Sequence, residues 1–219
     1  DWNRVRADFP LLTRQVNGKL LIYLDSANTG QKPASVIQTV DDFYRQHNAN
    51  VSRAVHTLGT EATEAYEGAR RTLARFLNVR PDELVLCSGT TFAVNLVAYS
   101  WALPQLKAGD TILVSRMEHH ANIVPWQLVA QRKGATIKVA EIREDGTLDL
   151  DALHAAMTGD VKLLALTHTS NVLGTVNPVR DICREARKRG IVTVVDGSQA
   201  VPHRAVDVAA IGCDFYALT

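Results

Sequence analysis

Asp196-Gly197-Ser198-Gln199 follows directly on Ile191–Val195, five β-prone residues that run into a carboxylate. Ligands of open α/β sheets bind at the carboxyl ends of the strands, so an acid there can hold a hydrogen-bonded cation in a fixed place. Three uses fit Asp196. It could accept a hydrogen bond from a protonated pyridinium nitrogen, with Gln199 bonding a ring substituent; it could ligate magnesium; or it could cap the next turn. Ser88-Gly89-Thr90-Thr91 lies between a predicted strand and a predicted helix. Unpaired N–H groups and the positive dipole end suit a phosphate there, and a simple Ser/Thr cap fits as well. Glu118-His119-His120-Ala121-Asn122 offers imidazoles for stacking or acid–base work near neutral pH, or a polar lead into a helix cap. Two adjacent histidines do not share a helix face, so they chelate poorly. Thr167-His168-Thr169-Ser170-Asn171 offers an amide to a phenolate or carboxylate oxygen, or plain turn chemistry. Each cluster alone is weak; four polar clusters at four predicted strand ends converge on one crevice.

The elements that must position these residues alternate. Apolar spacing predicts helices over 33–47 (Val36, Ile37, Val40, Phe43, Tyr44) and 61–77 (Ala62, Ala65, Tyr66, Ala69, Leu73, Phe76). Strands are predicted over 83–87, 111–115, 136–140, 162–167, 191–195 and 214–218. Helices are predicted over 91–103 (apolar nearly all round, hence buried), 122–133, 148–157 and 178–189. Asn122 and Asn177 read as N-caps, Pro125 and Pro178 fit first turns, and Gly134 and Gly190 follow helix ends. This pattern predicts an α/β fold, a mainly parallel sheet with helices on both faces. Strand order is not readable from it.

Composition narrows the class. Hydrophobic residues at 46% with 21% charged suit a globular protein, and a formal net charge of +1 gives no electrostatic case for nucleic acid or an anionic membrane. The basic run Arg184–Arg189 contains Glu185 and reads as a solvated helix face. Cys87, Cys183 and Cys213 are odd in number and widely spaced, against a disulfide framework or a zinc site. Cys87 and Cys213 read as small hydrophobes in or beside strands. No stretch approaches the roughly 18 apolar residues of a membrane span, and no P-loop or GxGxxG sequence occurs. A cytoplasmic, reduced protein is the expectation.

Taken together, Leu24-Asp25-Ser26-Ala27, the run from Met117 to Trp126, Ser170-Asn171-Val172-Leu173-Gly174 and Val195-Asp196-Gly197-Ser198-Gln199-Ala200 resemble the group II (SUF/CSD-type) cysteine desulfurases. These belong to the class-V aminotransferase superfamily, with the fold type I of pyridoxal phosphate (PLP) enzymes. The resemblance runs from about Val5 to Thr219. It implies that residues 31–219 form most of the large PLP-binding domain, that 1–30 form an N-terminal arm with an active-site segment, and that the small C-terminal domain and the PLP lysine lie beyond Thr219. It implies His119 as catalytic and stacked on the cofactor, Asp196 at the pyridine nitrogen and Gln199 at the phenolic oxygen. Thr90, Thr91 and Thr219 would hold the phosphate. Asn171 would face cofactor and substrate, and Ala27 and Asn28 would touch substrate.

The implied chemistry converts L-cysteine to L-alanine, with sulfur leaving as an enzyme persulfide for iron–sulfur cluster or other cofactor assembly. A homodimer and a sulfur-acceptor protein are the implied partners. Three departures stand out: Asn28 replaces a second alanine, Ser52 a histidine, and Phe92 a glutamate. None of the three cysteines matches the family nucleophile. Another class-V lyase (selenocysteine lyase or kynureninase-like) and a noncatalytic interaction module remain the alternatives.

Overall fold

Strand-forming runs become a buried parallel sheet only where ladders and two covering layers exist, and the chain divides accordingly. The computed structural model describes residues 1–53 and 55–219, in two units, Asp1–Arg71 and Thr72–Thr219. The first unit holds α1 (Trp2–Ala7), a hairpin of β1 (Gln15–Val16) and β2 (Lys19–Leu20), and α2 (Ala34–Asp42), which runs into a π-helical turn, Phe43–His47. Asn17 and Gly18 both take positive φ, as a tight hairpin turn requires. Helix α3 (Thr57–Leu77) carries the chain into the second unit. It starts four residues before the predicted 61–77. Val36, Ile37, Val40 and Tyr44 share the predicted face yet stay exposed, as do Leu73 and Phe76. Helical spacing sets which residues share a face, whereas burial needs a second surface.

The second unit runs α4 (Thr90–Val97), a π-helical turn Ala98–Ala102, α5 (Leu103–Gln105), β3 (Thr111–Ser115), α6 (Val124–Lys133), β4 (Thr136–Ala140), α7 (Leu150–Ala156), β5 (Val161–Thr167), α8 (Val179–Lys188), β6 (Val192–Asp196), α9 (Val208–Ile211) and β7 (Phe215–Ala217). Strands β3 to β7 form one parallel sheet in the order β4-β3-β5-β6-β7. Alternate strand residues feed two cores, as a parallel sheet covered on both faces demands. Ile112, Val114, Leu163, Ala165 and Val194 pack with Val94, Ala98, Trp126 and Val129. Leu113, Leu164, Leu166 and Val195 pack with Leu153, Val179, Ile182 and Ala186.

The order reverses between β3 and β5. The connection from β3 leads outward to β4, and the next returns to the other side of β3. Such a switch opens a crevice at the strand ends.

Several local expectations change. Residues 84–87 have no regular secondary structure and join no ladder among the described residues, leaving Val85 and Cys87 exposed. β-propensity without a paired neighbour does not make a strand. The 91–103 segment buries one face only, with Phe92 and Tyr99 exposed. Asn122 ends a 3₁₀ turn, His120–Asn122, and its side chain bonds Glu118 and Trp126 instead of capping α6. Asn177 turns its amide to the Thr167 carbonyl at 2.8 Å, and Pro178 occupies the cap position of α8. The basic run does form a solvated face, where Glu185 pairs with Lys188 and Arg189.

Candidate active site at the sheet switch point

The carboxyl ends of β3, β5 and β6 bring three of the four clusters together, and the start of α4 adds the fourth. Asp196 closes β6 opposite Thr167 of β5 and Ala217 of β7, and it is 4% exposed. Its Oδ1 accepts the Ser198 N–H at 3.0 Å and the Ser198 hydroxyl at 2.6 Å. Among the described residues no hydrogen bond reaches Oδ2. The Thr90 and Ser198 hydroxyls lie 2.7 Å apart. Because Ser198 spends its proton on Asp196, Thr90 must be the donor in that pair. Thr90, Ser198 and Asp196 therefore form a one-way chain from the first residue of α4 to the end of β6.

The N-terminus of α4 lies beside the end of the sheet. Gly89 has φ of 130°, and a Cβ there would stand 3.3 Å from the Thr219 hydroxyl. The backbone thus approaches Thr219 as only glycine easily allows. Ala93 N–H bonds the Gly89 carbonyl, so the N–H groups ahead of it are the ones a helix start leaves for an anion. Thr91 is exposed at the same turn. The proton of Thr90 is committed to Ser198, which leaves Thr91, Thr219 and the backbone as the hydroxyl and amide donors.

His119 is exposed at the turn after β3, and its Nδ1 accepts the Ala121 N–H at 3.1 Å. In the neutral ring that bond puts the proton on Nε2. Asn171 is exposed in a turn closed by Gly174 N–H to the Ser170 carbonyl at 3.0 Å. Gln199 is half-buried in the turn after β6. Ala27 and Asn28 belong to the first unit, where the Asn28 amide donates to Asp25 at 3.4 Å.

Three groups inside or beside the four clusters carried no role in the sequence reading. Ser198 is one. Glu118 is the second: it lies buried at the switch point, accepting from the Ser115 hydroxyl, from Asn122 Nδ2 at 2.7 Å and from Thr167 N–H at 2.8 Å. Burial pushes its carboxyl up to about 7, against the three hydrogen bonds, and the nearby Asp196 charge adds to the rise. Its only sequence signal was a carboxylate between an apolar strand and a helix. The third is the His168–Tyr216 pair, Nδ1 to Oη at 2.8 Å. Burial, then Arg204, holds His168 below its usual range, and burial raises Tyr216. Tyr216 lies across Gly197, where a Cβ would come within 2.1 Å of its ring.

The described polar groups suit a flat anionic cofactor with a basic ring nitrogen: an open carboxylate oxygen to accept, and a glycine-lined helix start and hydroxyls to donate. Among the described residues, no helix is long and apolar enough to cross a membrane.

The chain is similar to several known proteins. A protein from Xylella fastidiosa (strain 9a5c) described as a probable cysteine desulfurase is 73% identical over all 219 residues, which span 53% of its length. The cysteine desulfurase of Escherichia coli, solved as the S-sulfonic acid, is 36% identical with a TM-score of 0.88 over 100% of this chain and 54% of that one. The apo cysteine desulfurase of Thermococcus onnurineus NA1 is 33% identical with a TM-score of 0.92, over 99% of this chain and 52% of that one. The chain thus spans about half the length of the curated relatives it matches. Residues 22–219 match the family model described as aminotransferase class-V, and the chain belongs to the class-V aminotransferase family.

Proposed function

We propose that the protein is a PLP-dependent cysteine desulfurase: L-cysteine and an enzyme thiol give L-alanine and an enzyme persulfide. The observation that carries this reading is the open Oδ2 of Asp196, whose other oxygen is held by Ser198 and, through it, by Thr90. When bound, PLP supplies an electron sink for the substrate's α-carbon, strongest while its ring nitrogen is protonated.

Asp196 Oδ2 is the acceptor that keeps a proton on that nitrogen. The amides of α4's first turn with Thr91 and Thr219 hold the phosphate, and Gln199 bonds the phenolic oxygen. His119 stacks on the ring and moves protons through Nε2. Asn171 is proposed to bind the substrate, and the resemblance assigns the same role to Ala27 and Asn28 of the first unit. Residues 31–219 provide most of the large domain. Burial pushes the thiols of Cys183 and Cys213 up to about 11 and about 12, which keeps them protonated and poorly nucleophilic near neutral pH. The proposal extends to a cytoplasmic homodimer that passes sulfur to an acceptor protein for iron–sulfur cluster assembly.

The test is alanine formation from L-cysteine by the purified protein with PLP, alongside its visible absorption spectrum. Asp196→Asn is expected to cut turnover by about 100-fold or more. Absence of alanine from a protein that binds PLP would overturn the desulfurase reading.

A further inference from the structure

We infer that Glu118 is a positioning residue that couples the His119 turn to the charge on Asp196. Its partners come from three segments at the switch point: Ser115 closes β3, Thr167 closes β5, and Asn122 ends the turn that follows His119. Thr167 is at once a donor to Glu118 and the register partner of Asp196. The neighbouring His168 N–H bonds the Asp196 carbonyl at 2.8 Å. One backbone segment therefore touches both carboxylate residues.

The hydrogen-bond inventory allows two charge states. Asn122 Nδ2 and Thr167 N–H can only donate to Glu118, whereas the Ser115 hydroxyl can donate or accept. An ionised Glu118 takes all three as donors. A neutral Glu118 turns its proton toward Ser115 and keeps the other two. Ser115 is thus the hinge of the switch, and its oxygen also receives Met117 N–H at 3.3 Å.

A built-in reporter sits one bond further out. Asn122 Oδ1 accepts the indole N–H of Trp126 at 3.0 Å, and Trp126 is fully buried. A change of charge on Glu118 passes through the Asn122 amide to that N–H. The charge that acts on Glu118 is that of Asp196 on β6; His119 and His120 follow it on its own turn, and His168, bonded to Tyr216 of β7, follows its donor Thr167. Arg116, next to Ser115, is paired with Glu141 at an exposed position.

This inference rests on the site reading above for its meaning, but its measurement uses neither substrate nor turnover, so the two fail separately. The experiment follows the Trp126 indole resonance by NMR across pH in the purified protein. Wild type is expected to show a step near neutral pH that Glu118→Gln abolishes. A step that persists in that variant belongs to the histidines and overturns the proposal. Asn122 Nδ2 and Thr167 N–H donate to different carboxylate oxygens, and a glutamine has only one, so a second arm leaves Glu118 intact. Asp196→Asn removes the like charge and is expected to lower the midpoint. An unmoved midpoint overturns the coupling.

Discussion

Ser198 decides what two better-known neighbours can do. It fixes Asp196 Oδ1 and consumes the Thr90 proton, so three side chains act as one unit. Ser198→Ala leaves Asp196 short of a charge-assisted bond worth about 1.5 kcal/mol. PLP affinity is expected to fall about tenfold, read by titrating the apoprotein with the cofactor. Asp196, His119 and Gln199 stood out in the sequence because each follows a recognisable strand, and Thr90 because it precedes a predicted helix, although its hydroxyl turned out to serve Ser198. Ser198 and Glu118 did not, because their importance lies in which groups they touch. A hydroxyl next to an aspartate is common; one that links a helix start to a strand end is a tertiary fact.

At the scale of elements, the parallel strands were legible because their apolar runs are bounded by turn residues. Predicted boundaries of β3 and β4 match the structure, and those of β5, β6 and β7 differ by one residue at one or both ends. The run 83–87 fails for lack of a neighbour, and Asn122 fails as a cap because a buried acid and an indole claim its amide. The joint between β6 and β7 is equally specific. Gly197 lets the Tyr216 ring lie against the backbone, and His168 holds that ring's hydroxyl. Gly197→Ala is expected to cost about 1–3 kcal/mol through overpacking, measured by denaturant unfolding. Tyr216→Ala in the same chain is expected to relieve part of that cost, so the pair departs from additivity.

For the molecule as a whole, the buried Glu118 sets a pH dependence of known sign. Its carboxyl ionises near the ordinary 4.5 when unfolded and near 7 when folded. Between those values the native state holds the extra proton, so this group lowers stability as pH rises, by up to about 1.4 kcal/mol per pH unit. Below the lower value its contribution is fully present, and above the upper value it is gone. Glu118→Gln is expected to flatten that part of the stability profile, checked by unfolding at a series of pH values; an identical slope would falsify the assignment. The sequence by itself determined the alternation of strands and helices, the α/β class and the polar residues at strand ends, because periodicity and turn chemistry are local. Only the tertiary structure decided the order β4-β3-β5-β6-β7 and with it the switch between β3 and β5. That order rests on pairing between distant segments. It alone sets Glu118 against Thr167, Thr90 against Ser198, and leaves one oxygen of Asp196 open.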